Sequence, residues 1–116
     1  MLEKGLVCGG GSDSPVERFS VLEGIQVGVT RDCLNENTKG WHPDEKLSVL
    51  EAVRLFTAGN AYCAFQENKK GTLELGKLAD MTVLDQDIFQ VDHHDIAKIK
   101  VLRTIVGGKE VYHAEV

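Results

Sequence analysis

The sequence predicts an α+β chain, helical in its first half and built from antiparallel strands in its second. Three observations carry this reading. Apolar side chains recur at helical spacing over 21–30 and again from Ser48 to Phe65. After Gly71 the pattern changes to the alternation of strands. Residues 100–106 and 109–113 flank Gly107-Gly108, the two-residue spacing of a hairpin with a primed turn.

Taken in order, the first element is the short apolar run Leu6-Val7-Cys8, which is followed by Gly9-Gly10-Gly11 and Ser12-Asp13-Ser14-Pro15. An unalternating run of this kind reads as a strand buried on both faces. The glycines allow a sharp turn, and Pro15 stops regular pairing. Residues 21–30 carry apolar side chains at 21, 22, 25, 27 and 29 and predict about three turns of helix, weakened by Gly24 and Gly28. Residues 32–43, with Asn35, Asn37, Gly40 and Pro43, read as an exposed loop from which Trp41 folds back onto apolar surface.

Ser48 and Glu51 have the spacing of a capping box and open the strongest helix. Val49, Leu50, Ala52, Val53 and Phe56 give it a wide apolar face, with a break or kink expected at Gly59-Asn60. Residues 67–71 form a charged turn. Thr72-Leu73-Glu74-Leu75 alternates, Met81-Thr82-Val83-Leu84 is rich in strand formers, and one helical turn fits within 91–98. A second description of the same pattern is a barrel-like βα unit joined to part of a β-sandwich, with neither completed.

The chain has 116 residues, of which 42% are hydrophobic and 27% charged, with a net charge of −5. This is the composition of an ordinary globular piece. The acidic balance argues against a nucleic-acid partner. No apolar run approaches the ~20 residues that span a bilayer, so no membrane partner is expected. Cys8, Cys33 and Cys63 share no metal-type spacing and read as reduced thiols of a cytoplasmic protein, more apt for packing than for nucleophilic attack.

Asp13 is the leading chemical candidate. It follows the apolar run in a glycine-rich turn, and carboxylates at the C-terminal ends of parallel strands are where barrel enzymes place catalytic groups. The plain alternative is a turn in which Asp13 bonds nearby backbone. His93-His94, between Asp92 and Asp95, has a metal-like composition, but adjacent side chains diverge, and a solvated loop is expected. His42 and His113 have no partner at ligand spacing. No nucleophile elbow, phosphate loop or dinucleotide fingerprint is present.

Read together, four segments resemble the metal-dependent amidohydrolases, and within them the branch of large members whose substrates are poorly assigned. Residues 11–17 (Gly-Ser-Asp-Ser-Pro-Val-Glu), with Leu22, Ile25 and Val29-Thr30-Arg31, resemble the last barrel strand and the loop after it. Leu50-Glu51-Ala52-Val53-Arg54, with Thr57, Asn60, Ala61 and Ala64, resembles the last helices. Gly71-Thr72-Leu73-Glu74-Leu75-Gly76-Lys77-Leu78-Ala79-Asp80 resembles the signature with which the chain leaves the barrel for a β-sandwich, and residues 101–112 resemble the closing hairpin of that sandwich.

The resemblance implies a C-terminal piece, with residues 1–66 ending a (β/α)8 barrel and residues 67–116 contributing sandwich strands. It implies a parent that uses one or two divalent metals, usually zinc, to activate a water that attacks an amide-type C–N bond of a small molecule. It also implies that Asp13 binds metal or hydrogen-bonds that water, serving as the catalytic base. The family's remaining ligands have no counterparts here, so this chain alone is expected to hold no metal and to be inactive. Gly76 and Asp80 are assigned to structure, as a turn and a local cap. A non-catalytic interaction or regulatory module is the alternative, and a severed barrel predicts a homo-oligomer or strand-exchanged dimer.

Overall fold

A computed structural model describes residues 2–34 and 40–115. Asn35 and Asn37 of the expected loop, and Met1 and Val116 at the ends of the expected division, lie outside the described residues.

The first helix, α1, spans Val21–Thr30. Ser20 caps its N-terminus through Oγ, which accepts the Glu23 N–H, and Arg31 ends it in the left-handed region at φ 60°. Ile25 and Val29, four residues apart, fall on one face and are buried. The glycines that weaken α1 intrinsically have a packing role: a Cβ on Gly24 would meet the Phe56 ring at 2.9 Å, and one on Gly28 would meet Leu47 at 3.4 Å.

The second helix, α2, spans Val49–Arg54, and both halves of the expected capping box are formed. The Glu51 carboxylate accepts from Ser48 N–H at 2.8 Å and Ser48 Oγ at 2.7 Å, which holds it below the usual carboxylate range. The helix does not break at Gly59-Asn60. It widens into a π-turn over Leu55–Gly59 and runs on as α3, Asn60–Cys63. Thr57 Oγ1 donates to the Val53 carbonyl at 2.8 Å within this stretch.

Three strands follow, β1 (Met81–Leu84), β2 (Val101–Val106) and β3 (Lys109–His113), in an antiparallel sheet of order β1-β2-β3. Met81 pairs with Ile105 and Arg103 with His113, and the register shifts once in each pair. Gly107 and Gly108 both take positive φ, as a primed hairpin turn requires. Asp80 caps this turn from a distance, accepting the Gly107 N–H at 2.7 Å across 27 residues, and so is not the local cap that the sequence suggested.

Between β1 and β2, His93–Lys98 forms a 3₁₀ turn where one helical turn was expected. It completes the core. Ile96 is fully buried, and with Ile88 and Ile99 it packs against Ile25, Val29 and Ala52. Gln26 Oε1, itself buried, accepts the Ala97 N–H at 2.8 Å, so α1 and the 3₁₀ turn are joined by a polar bond inside an apolar contact.

Three further expectations are corrected. Leu6-Val7-Cys8 is not a buried strand: it has no ladder, and Leu6 and Val7 are 56% and 51% exposed, because the described residues supply no neighbour to pair with it. Thr72 to Leu75 is not a strand either. Lys77 Nζ contacts Glu74 at 2.8 Å and Thr72 Oγ1 at 2.7 Å, curling the segment while Leu73 and Leu75 stay exposed. Trp41 lies 70% exposed on charged and polar groups, with Arg31 5.7 Å from its ring centroid and His42 edge-on at 4.5 Å.

Candidate functional site

The segment leading to Asp13 is fixed from one side by the widened helix. Gly10 N–H donates to the Leu55 carbonyl at 2.9 Å, and Asn60 Nδ2 donates to the Gly10 carbonyl at 3.0 Å. Both hydrogen-bonding groups of one residue are thereby taken by the π-turn and the residue after it. Close approach explains the composition on both sides. A Cβ on Gly59 would run into the Cys8 carbonyl, and one on Gly10 would sit 3.0 Å from Phe56. The Phe56 ring therefore fills the space beside both Gly10 and Gly24 of α1.

Asp13 itself is exposed and takes φ 52°, a conformation that Asp tolerates better than most residues. Its carbonyl accepts the Val16 N–H at 2.9 Å. Asp13 is thus part of a tight turn closed by its backbone carbonyl, and its exposed side chain sits at the end of an anchored segment.

The other candidates are not gathered around it. Cys8, Cys33 and Cys63 are free thiols. His113 Nδ1 sits 3.4 Å from Glu110, which also faces Arg103 at 3.6 Å. His42 lines an open hollow of about 400 Å³ with Gly28, Arg31, Glu45 and Leu47. Among the described residues no three His, Cys, Asp or Glu side chains converge on a point where a metal ion would sit. One carboxylate does not satisfy zinc, which takes about three protein ligands at a catalytic centre. The described residues therefore do not by themselves fit a complete metal site.

His94 is the residue that the sequence reading missed. Its ring is not simply solvated. Nε2 lies 3.0 Å from Asp32 Oδ2 and Nδ1 lies 3.2 Å from Asp92 Oδ1. The Asp32 carboxylate, the nearer partner, raises the His94 pKa above its ordinary 6.5, and Asp92 adds to the effect. Asp32 lies below the usual carboxylate range, first because it accepts the Gly40 N–H and then because it faces His94. Asp92 is lowered by the His94 N–H that it caps and then by the same ring. The two contacts are separated by 62 residues and by 2 residues, and only the short one has a recognisable sequence signal, an Asp capping a turn.

The chain is similar to known proteins over nearly its whole length. The amidohydrolase family model matches residues 1–112. YtcJ of Bacillus subtilis (strain 168), named as an amidohydrolase, is 36% identical over 113 residues, covering 97% of this chain and 21% of that protein. The N-substituted formamide deformylase of Arthrobacter pascens is 31% identical over 108 residues, covering 93% of this chain and 20% of that enzyme. The chain thus spans about a fifth of the length of the curated relatives it matches. The crystal structure of an amidohydrolase from Thermotoga maritima MSB8 superposes with a TM-score of 0.71 at 19% identity, over 97% of this chain and 24% of that one. That likeness shows a shared fold. The family model over residues 1–112, with the 36% identity to YtcJ, places this chain in the amidohydrolase family.

Proposed function

We propose that this chain is the C-terminal part of a metal-dependent amidohydrolase that hydrolyses amide-type C–N bonds of small molecules. In this reading residues 1–66 close a (β/α)8 barrel and residues 67–116 contribute strands to an attached β-sandwich. The observation that carries it is Asp13: a carboxylate exposed at the end of a segment anchored by Leu55 and Asn60, inside a stretch that matches the family throughout. In the whole protein a divalent metal, usually zinc in this family, would polarise the water. The contribution of this chain is a base at the Asp13 carboxylate, which takes a proton from the attacking water and returns it to the leaving nitrogen. The three free thiols accord with a reducing cytoplasm.

The isolated chain should be inactive, since one carboxylate is a single ligand. The test has two arms. Purified chain with added zinc, assayed on an N-substituted formamide, should show no turnover and no stoichiometric metal by equilibrium dialysis. Turnover with one bound zinc per chain would overturn the claim of inactivity. In the longer protein, Asp13→Asn should lower kcat by a factor of about 10² to 10⁴ with little change in folding. An unchanged kcat would remove Asp13 from the chemistry.

A second reading is favoured by the apolar surface. Phe65 is 93% exposed and Leu75 107%, and β1 and β3 are both sheet edges. On its own such a chain would act as an interaction module that associates through those edges.

A further inference from the structure

We propose that Asp32, His94 and Asp92 form a pH-sensitive clasp tying the segment that leaves α1 to the 3₁₀ turn before β2. The proposal is independent of Asp13 and of any catalytic role. It stands on valence. A neutral imidazole has one N–H and one lone pair, so it can satisfy only one carboxylate while setting its lone pair against the other. Here both ring nitrogens face carboxylate oxygens, at 3.0 Å and 3.2 Å. Only the imidazolium donates to both. Losing the proton turns one of the two contacts from attractive to repulsive.

The clasp is tied to a larger arrangement through Asp32. While Oδ2 faces His94, Oδ1 accepts the Gly40 N–H at 2.5 Å, bringing together the two ends of the 32–40 segment. Next to it, Trp41 N–H donates to the Arg31 carbonyl and Arg31 Nε donates to the Trp41 carbonyl, both at 3.0 Å. One carboxylate therefore holds Gly40 with one oxygen and the 3₁₀ turn with the other. The Gln26–Ala97 bond also holds α1 to the same turn and carries no titratable proton. Deprotonating His94 releases the exposed attachment and leaves the buried one in place.

The charged groups facing the clasp come from each neighbouring element. Asp92 caps the turn, His93 and Asp95 lie on it, and Asp95 is occupied by Lys98 at 2.6 Å. Asp32 follows the Arg31 cap of α1, and Lys46 acts on Asp32 from the segment before α2. The carboxylates outweigh the cations, in keeping with the raised pKa of His94.

The experiment is a pH titration of the chain followed by NMR, reading the His94 ring and the Gly40 amide together. His94 should titrate above 6.5, the Gly40 amide should shift with the same midpoint, and both the raised midpoint and the Gly40 step should diminish in Asp32→Asn. His94→Gln should abolish the Gly40 step. His42, which packs on Trp41, is the control: His42→Asn should leave the Gly40 step unchanged. If Asp32→Asn fails to fold, Asp92→Asn should lower the His94 midpoint by itself. A His94 midpoint at or below 6.5, or a Gly40 amide that does not follow it, would overturn the proposal.

Discussion

Single residues carry much of the geometry, and several do so by what they lack. Gly59 has no side chain because the Cys8 carbonyl occupies the space, so Gly59→Ala should cost about 1–3 kcal/mol by overpacking, read as a lower midpoint in urea with the slope unchanged. Equal midpoints would show that the Cys8 segment yields without cost. Titration is a second residue-scale matter. The raised pKa of His94 contributes stability that is complete below about 6.5 and is lost as pH rises through the folded value. The lowered pKa values of Asp32, Asp92, Glu51 and Glu74 act oppositely: their contribution is complete above about 4.5 and is lost as pH falls through the folded values. Thermal melts from pH 3 to 9 should therefore peak between about 4.5 and 6.5, and His94→Gln should flatten the alkaline side. A melting temperature that climbs steadily from pH 6.5 to 8 would contradict this assignment.

At the scale of elements, what was legible in the sequence was local. The α1 boundaries, the capping box and the Gly107-Gly108 hairpin rest on spacings of two to four residues, and the structure has all three. What was not legible depends on long separations. The Leu6 run has the composition of a buried strand but finds no partner among the described residues. Leu73 and Leu75 alternate correctly, yet Thr72, Glu74 and Lys77 engage one another and curl the segment. The Asp32–His94 contact spans 62 residues, beyond any periodicity. Two substitutions separate local from long-range contributions. Ser48→Ala removes only the cap and should cost about 1 kcal/mol. Ile96→Ala opens the contact shared by α1, α2 and the 3₁₀ turn and should cost about 2–5 kcal/mol. Chemical unfolding of both variants checks the order, and a smaller loss for Ile96→Ala would mean that the core does not depend on that turn.

For the whole molecule the surface is the informative quantity. A self-contained monomer of this mass exposes about 6200 Å² by the usual scaling, whereas this chain exposes 8791 Å². Its radius of gyration, 14.8 Å, likewise exceeds the ~13 Å expected for a compact domain of its length. The excess is about 2600 Å², more than a standard protein–protein interface buries. Large apolar side chains contribute to the exposed surface: Phe19, Phe65, Leu73 and Leu75 are each at least 75% exposed. Surface of this kind leaves water when any complementary surface is available, at about 25 cal/mol per Å² before the costs of association. In isolation the surface most abundant in solution is another copy of the same chain. The chain should therefore self-associate at micromolar concentration in sedimentation equilibrium. The double variant Phe65→Ser, Leu75→Ser should shift it toward monomer while leaving the melting temperature nearly unchanged, because neither side chain belongs to the core. A wild-type chain that stays monomeric at 100 micromolar or above would show that this apolar surface is tolerated in water, and would remove the argument for an oligomer.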